Sequence, residues 1–209
     1  MDTQKRILEE AISLYLKFGA RRVTMDDIAN SLAISKKTIY QYFKDKDEIV
    51  AMAIKGILEK EEAEIDKLVK NAGNAIEGFI KVTEYFRKVM RSINPTLLYD
   101  LEKYYPNAWA VYKGHQEDCH LTSLKNMLER GKEEGVFRKE TDIEVLALMR
   151  VHQVQLGFDQ KIFPIHKFDL FEVQYQLVVH FMYGISTLEG AKQLHEYFSK
   201  VSYLNNQKN

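Results

Sequence analysis

The sequence is poor in residues that cross-link a chain or interrupt a helix. Cysteine occurs once among 209 residues, and proline occurs three times, at Pro95, Pro106 and Pro164. A single cysteine excludes a disulfide framework within the chain, so a reducing compartment is expected. The scarcity of proline leaves long stretches in which nothing prevents a helix.

The chain also lacks net charge and long apolar runs. Thirty Lys and Arg residues balance thirty Asp and Glu residues, so the total charge favours neither a nucleic acid nor a membrane. No segment approaches the roughly 18 apolar residues of a membrane span, and the N-terminus MDTQKRILEEA lacks the apolar core of a signal peptide. We therefore expect a cytoplasmic protein with no membrane partner.

The charge is unevenly distributed along the chain. Residues 1–46 contain nine Lys or Arg and six Asp or Glu, an excess of about three positive charges. A mildly basic N-terminal segment on a neutral chain is consistent with an acidic partner such as DNA.

Apolar residues recur at helical spacing along most of the chain, and no alternation typical of strands stands out. The chain is therefore expected to be all-α and long enough to bury a core. In the first helix, Ile7, Ala11, Leu14 and Phe18 share one face. Helices are predicted near residues 3–18, 25–32, 36–42, 45–70, 75–92, 96–104, 106–131, 142–159, 169–185 and 187–204.

Capping residues sharpen the prediction between residues 24 and 48. Thr24 with Asp27, Ser35, and Asp45 with Glu48 are patterns that begin helices. They define two short helices separated by a turn of about three residues, followed by a long helix. This is the helix-turn-helix arrangement.

The second short helix combines an apolar side with a polar side. Ile39 and Phe43 lie four residues apart and are expected to face the core. In a helix-turn-helix reader this helix enters the major groove, where lysine can bind guanine and glutamine can bind adenine. Hydroxyl groups, phenols and helix N-termini suit phosphates. The candidate DNA-binding residues are Thr24, Ser35, Lys36, Lys37, Thr38, Tyr40, Gln41, Tyr42 and Lys46. A solvated surface helix is the alternative for the lysines alone.

Residues 24–49, TMDDIANSLAISKKTIYQYFKDKDEI, resemble the DNA-binding signature of the TetR (tetracycline-repressor-type) family. The matching positions are Thr24, Ile28, Ala29, Ser35, Thr38, Tyr40, Tyr42, Phe43 and Lys46. The resemblance implies an N-terminal three-helix DNA-binding bundle over residues 1–46. A larger helical ligand-binding and dimerisation domain would follow over residues 47–209.

Three positions depart from the family pattern. The family often has glycine at Ala33, so a positive φ there would cost about 1 kcal/mol. It often has a small residue at Lys37, and histidine at Tyr42. A lysine at position 37 adds a base or phosphate contact, and a phenol can replace histidine as a phosphate donor.

The resemblance also implies a homodimer in which the helices near 142–159 and 169–185 pair with their mates. The second of these is rich in apolar residues, including Phe171, Leu177 and Phe181. From sequence, a dimer seam and an ordinary core face look the same.

Aromatic side chains are dense between residues 79 and 128 and suit a mostly apolar pocket. The candidate ligand-binding residues are Phe86, Trp109, Tyr112, His115, Cys119 and His152, although each of them taken alone is more typical of a core or surface position. His115 and Cys119 are spaced to chelate a metal, but two ligands do not make a site. No metal and no cofactor are therefore expected.

Together these features predict a dimeric, ligand-responsive transcriptional regulator, a repressor released from a palindromic double-stranded DNA operator by a small, largely apolar effector of unknown identity. The alternative is a helical protein-interaction module that has lost DNA binding, which would lack a steep salt dependence. No nucleophile elbow or phosphate-binding glycine loop is visible, so an enzyme is not expected.

Overall fold

The computed structural model describes residues 2–206, with the side chains of this range except those of residues 117, 118 and 199–206. Over this range the chain forms eleven α-helices and no strand, which confirms the all-α prediction. The helices are α1 (Thr3–Phe18), α2 (Met25–Ser31), α3 (Lys36–Tyr40), α4 (Lys46–Lys70), α5 (Ala75–Ser92), α6 (Leu97–Tyr104), α7 (Pro106–His115), α8 (Leu121–Glu133), α9 (Ile143–Phe158), α10 (Leu170–Ile185) and α11 (Leu188–Asn206).

Two predicted helices differ from the observed ones. A π-helical turn, Gln116–His120, separates α7 from α8, where the sequence predicted one helix over 106–131. Helix α3 ends at Tyr40 rather than near Tyr42. The amides of Tyr42 and Phe43 both donate to the Ile39 carbonyl, at 3.0 and 3.1 Å, so the final turn tightens and regular helix stops.

The predicted caps are mostly confirmed. Thr24 accepts a hydrogen bond from the Asp27 amide and Asp27 accepts one from the Thr24 amide, which completes a capping box. The Ser35 side chain accepts from the Thr38 amide. At α4 the capping box predicted for Asp45 and Glu48 is wrong in one of its two hydrogen bonds. The Glu48 carboxylate accepts from the Lys44 amide instead of the Asp45 amide, while the Glu48 amide donates to the Asp45 side chain.

The described chain divides into two compact units. Unit 1 contains residues 2–64 and 88–119, and unit 2 contains residues 65–87 and 120–206. Helices α4 and α5 each contribute residues to both units. The predicted boundary between residues 46 and 47 does not coincide with a boundary of these compact units, and it remains a prediction.

The core of unit 1 is built where α1, α2, α3 and the first half of α4 meet. Ile7, Ala11 and Tyr15 of α1 are fully buried, and they belong to the same cluster as Ile28 and Ile39. Fully burying one such aliphatic side chain contributes about 1.5–3 kcal/mol. The short helices are therefore held by packing rather than by their own helical propensity, which is marginal at five to seven residues.

Unit 2 is organised around three phenylalanine rings. Phe79 of α5 meets Phe137 edge-on with ring centroids 5.6 Å apart, and Phe181 of α10 lies 6.5 Å away. Gly131 lies beneath Phe137, and a Cβ atom at this glycine would lie 1.9 Å from the ring. The buried Phe181 belongs to this core rather than to an exposed seam.

Helix α9 of unit 2 has one apolar face in the core and another exposed to solvent. Ala147 is fully buried, whereas Val145, Leu148, Met149 and Leu156 are 40–59% exposed. These four positions lie on one side of the helix at three-, four- and seven-residue steps. We call them the α9 stripe.

Arg150 occupies the opposite side of α9 from the α9 stripe, at 100° per residue. Its Nη1 atom is buried and has no hydrogen-bond partner among the described residues. Burial lowers the pKa of Arg150 to about 10. At neutral pH the guanidinium is therefore still a cation, and no ion pair with it occurs among the described residues.

Candidate nucleic-acid interface

A tight turn joins α2 to α3 and sets the direction in which α3 projects. The Ile34 amide donates to the Ala29 carbonyl at 3.0 Å, and the Ala33 amide donates to the Asn30 carbonyl at 3.1 Å. This pair of bonds is a Schellman motif, which requires a left-handed residue at its C′ position. That residue is Ala33, with φ of +53°, so the positive φ considered from the sequence is present.

Helix α3 separates its side chains as the sequence predicted. Ile39 and Phe43 are 0% and 1% exposed and lie in the unit 1 core. The opposite face leaves Tyr40 at 49% and Tyr42 at 40% exposure, unusual values for large aromatic side chains. The other exposed candidates on this segment are Ser35, Lys36, Lys37 and Gln41, and Thr38 is half-buried. The core contacts thus hold a polar, aromatic surface toward solvent.

The two adjacent lysines of α3 differ in their surroundings. The Lys36 ammonium lies 2.9 Å from an oxygen of Asp26, and this hydrogen-bonded carboxylate raises the pKa of Lys36. Lys37 has no hydrogen-bond or ion-pair partner among the described residues and is exposed. Lys37 is therefore the more available cation, while Lys36 must exchange Asp26 for any new anionic partner.

The hydroxyl groups proposed as phosphate donors already make local hydrogen bonds. The Thr24 hydroxyl donates to Asp27 at 2.7 Å, and hydrogen bonds from Thr24 lower the pKa of Asp27. The Ser35 and Thr38 hydroxyl oxygens lie 2.8 Å apart. These side chains fix the starts of α2 and α3, and any contact with DNA would add to that role.

Lys46, at the start of α4, lies farther inside than expected. Its ammonium donates to the Arg21 carbonyl at 3.3 Å and lies 5.2 Å from the centre of the Tyr105 ring, and burial lowers its pKa. The buried Asp100 carboxylate accepts from the Arg21 amide at 3.0 Å. Sequence reasoning missed these partners because Arg21 and Tyr105 lie 25 and 59 residues from Lys46 in the chain.

Four of the six predicted ligand-binding residues occur together in unit 1. The Trp109 and Tyr112 rings stack with centroids 5.3 Å apart, and burial raises the pKa of Tyr112. His115 Nε2 lies 3.4 Å from a carboxylate oxygen of Glu62. Cys119 is half-buried in the π-helical turn.

The other two predicted ligand-binding residues lie in unit 2. Phe86 packs edge-on against Tyr85, with centroids 5.6 Å apart. His152 is exposed on the same side of α9 as the α9 stripe, with Nδ1 3.3 Å from the Gln155 side-chain oxygen. The structure therefore does not bring the six residues into one group within either unit.

No helix built from the described residues is both long enough and apolar enough to cross a membrane.

Comparisons with known proteins agree with this geometry. The family model described as "Bacterial regulatory proteins, tetR family" matches residues 7–53, which include α2, the turn and α3. The HTH-type transcriptional regulator YvkB of Bacillus subtilis is 32% identical over 74% of this chain and 85% of its own length. The HTH-type transcriptional repressor KstR2 of Mycobacterium tuberculosis is 25% identical over 67% of this chain and 72% of its own length.

The fold also matches solved structures. A transcriptional regulator from Saccharomonospora viridis, solved in complex with choline, superposes with a TM-score of 0.71. That match covers 88% of this chain and 97% of the other at 19% identity. The helix-turn-helix geometry, the family model and the identity to YvkB lead to one conclusion. The chain belongs to the tetR family of bacterial transcriptional regulators, and α2 and α3 form its DNA-binding helix-turn-helix.

Proposed function

We propose that the protein is a dimeric repressor that binds a palindromic operator and is released from it by a small, largely apolar effector. The observation that carries the proposal is the exposed face of α3, where Lys37, Tyr40 and Gln41 project from a helix whose other side is fully buried. In this proposal residues 1–46 read DNA, and residues 47–209 bind the effector and form the dimer.

Helix α3 would enter the major groove with its N-terminal residues toward the base edges. Lys37 would donate to guanine and Gln41 would pair with adenine. The phenols of Tyr40 and Tyr42 would donate to phosphates on either side. Lys36 would contribute less than Lys37, because binding DNA would first break its 2.9 Å contact with Asp26.

The test is binding of the full-length protein to DNA from upstream of its own gene and to sequences selected from a random pool. Wild type and the Lys37→Ala, Lys36→Ala and Tyr40→Phe variants are compared by fluorescence anisotropy across a salt series. Lys70→Ala is the control, since it removes an exposed lysine at the far end of α4, where that lysine lies 3.6 Å from Asp66.

Specific binding with a steep salt slope is expected. Because Lys37 is proposed to read guanine, Lys37→Ala should weaken binding to the selected sequence by about 1–3 kcal/mol and relax its specificity, and Lys70→Ala should leave both unchanged. Lys36→Ala should have the smaller effect of the two α3 lysines. If the pool yields no preferred sequence, or if Lys37→Ala binds like wild type, the proposed reading surface is wrong and the interaction-module alternative gains support.

The dimer proposal rests on the α9 stripe. Val145, Leu148, Met149 and Leu156 form a contiguous apolar face that a monomer would leave in water, and such faces usually mark an interface. We assign this face to contact with a second copy of the chain, because a dimer also supplies the two recognition helices needed to bind two half-sites. Val178, Phe181, Met182 and Ile185 of α10 are already used in the core, and α9 carries the exposed part of the proposed seam.

Oligomeric state tests this directly. Light scattering should give about 49 kDa for wild type, twice the 24.5 kDa of one chain. Leu148→Glu should yield the single-chain mass with an unchanged circular dichroism spectrum, whereas Glu172→Gln, an exposed substitution on α10, should remain dimeric. A monomeric wild type at micromolar concentration would exclude the dimer.

The effector proposal rests on the aromatic group of unit 1. Trp109 and Tyr112 form a stacked, mostly apolar surface, and a polar partner lies close by because Gln116 donates to the Tyr112 hydroxyl at 2.7 Å. Apolar walls with few polar groups are typical of small-molecule sites. The repressor KstR2 and the choline complex of the Saccharomonospora viridis regulator support a ligand-responsive repressor.

Trp109 is the only tryptophan, so its fluorescence reports directly on this region. Compounds extracted from the purified protein, together with choline, would be titrated against wild type and Tyr112→Ala. An effector should change Trp109 emission and weaken operator binding, and DNA should weaken effector binding by the same factor. A compound that releases DNA without affecting Trp109 would place the effector site elsewhere.

A further inference from the structure

Three side chains that can each bind a metal converge in unit 1. They are Glu62 from α4, His115 from the end of α7 and Cys119 from the π-helical turn. One ligand atom from each lies within 4.8 Å of the other two. From the sequence alone, only His115 and Cys119 were identified as possible metal ligands. Glu62, 53 residues earlier in the chain, supplies the third ligand atom that the sequence argument lacked.

The spacing of these atoms matches a tetrahedral centre. With metal–nitrogen and metal–oxygen bonds of about 2.0–2.1 Å, the edge of a tetrahedron between nitrogen and oxygen is about 3.3 Å. The distance from His115 Nε2 to the Glu62 oxygen is 3.4 Å. An edge that includes sulfur is about 3.6 Å, so a movement of at most about 1.2 Å brings all three atoms into place.

The chemistry of the three groups selects a class of ion. A thiolate is a soft ligand, an imidazole suits zinc, copper and nickel, and a carboxylate accepts harder ions. A mixed set of sulfur, nitrogen and oxygen is typical of Zn²⁺, for which three protein ligands leave a fourth position for water.

The surroundings favour a bound ion over a simple surface contact. The His115 side chain is only 11% exposed, whereas that of Glu62 is 46% exposed and leaves a path by which an ion can enter. Cys119 lies in a π-helical turn, a rare distortion that occurs frequently at functional sites. A buried imidazole, an accessible carboxylate and a half-buried thiol therefore face one point from two separate helical segments.

We propose that Glu62, His115 and Cys119 bind a divalent transition-metal ion of the zinc type, with water as the fourth ligand. The ion would connect α4, whose first half packs against α3 in the unit 1 core, to the segment that follows α7. This site goes beyond the proposed repressor function and does not depend on it, because metal binding can be measured without DNA.

The test uses Co²⁺ as a spectroscopic probe of the full-length protein. Cys119 is the only cysteine, so a thiolate-to-cobalt charge-transfer band can arise only from that residue. Cys119→Ser, His115→Asn and Glu62→Gln each remove one ligand atom. The matched controls are His166→Asn and Glu59→Gln, which change exposed residues outside the cluster.

One Co²⁺ per chain with a charge-transfer band that Zn²⁺ abolishes is the expected result. Cys119→Ser should lose the band, and His115→Asn and Glu62→Gln should weaken Co²⁺ binding at least tenfold, with both controls unchanged. No band at millimolar Co²⁺ would overturn the proposal. The proposal would also be overturned if His115→Asn and Glu62→Gln both kept the band and bound Co²⁺ with unchanged affinity. Because Glu62 is accessible to solvent, the Glu62→Gln variant should fold and still tests the site if Cys119→Ser does not.

Discussion

Two turns of this protein have the same hydrogen bonds but different residues at the left-handed position. After α2 that residue is Ala33, with φ of +53°. After α8 it is Gly135, with φ of +72°. The Gly135 amide donates to the Lys132 carbonyl and the Val136 amide donates to the Gly131 carbonyl, in the same Schellman pattern. The chain thus contains its own matched comparison of alanine and glycine, and we expect opposite effects from exchanging them.

The magnitude follows from two opposing terms. An alanine in the left-handed region costs about 1–2 kcal/mol, which Ala33→Gly would recover. Glycine also increases the freedom of the unfolded chain, which costs about 0.4–1 kcal/mol. On balance, Ala33→Gly is expected to raise the free energy of unfolding by about 0.8 kcal/mol. Gly135→Ala should lower the free energy of unfolding by a similar amount. A Cβ atom at this position would meet nothing within 4 Å, so only the backbone is strained.

Differential scanning calorimetry and urea unfolding of the two variants and wild type measure this difference. For a chain of this size, 0.8 kcal/mol corresponds to a shift of about 2–3 °C in Tm, upward for Ala33→Gly and downward for Gly135→Ala. The double variant should return close to wild type, since the two turns belong to different compact units and their effects are expected to add. If Ala33→Gly lowers Tm while Gly135→Ala also lowers it, the strain assigned to Ala33 is absent and the reasoning fails.

Three further substitutions test other features of the structure. The hydrogen bonds from Thr24 lower the folded-state pKa of Asp27, so this carboxylate stabilises the fold fully above about pH 3.9 and the effect is lost as pH falls through the lowered pKa. Asp27→Asn should therefore lower the urea midpoint at pH 7, by an amount that shrinks in acid. Arg150→Met removes a cation whose Nη1 atom is buried with no hydrogen-bond partner in the described part of the chain, and it should raise the free energy of unfolding by about 1–2 kcal/mol, whereas a decrease would show that the guanidinium is satisfied. Gly131→Ala should lower it by about 1–3 kcal/mol, because the new methyl group would overlap the buried Phe137 ring; a neutral result in thermal unfolding would contradict this packing.

The sequence predicted the helices and most of their caps because those features depend on neighbouring residues. Thr24 and Ser35 cap through the amides three residues later, and the burial of Ile39 and Phe43 follows from their four-residue spacing. The positive φ of Ala33 could also be considered from the sequence, because it follows from the position of this residue in the turn. Local geometry of this kind is determined by a few consecutive residues.

The candidate sites were only partly predictable, because their partners come from distant segments. Nothing local distinguishes Lys36 from Lys37, yet Asp26 of α2 pairs with one of them alone. Glu62 joins His115 only after α4 packs against the segment near α7. The π-helical turn at 116–120 likewise has no periodicity signal strong enough to separate it from an ordinary helix.

The division of the chain into two units has a consequence for its synthesis on the ribosome. All segments of unit 1 have been made once residue 119 has emerged, whereas the core of unit 2 includes both Phe79 and Leu194. The 115 residues between them take roughly 6–23 s to add at 5–20 residues per second. During that time the apolar side of α5 has no complete core to enter, so the nascent chain exposes apolar surface until α11 is released.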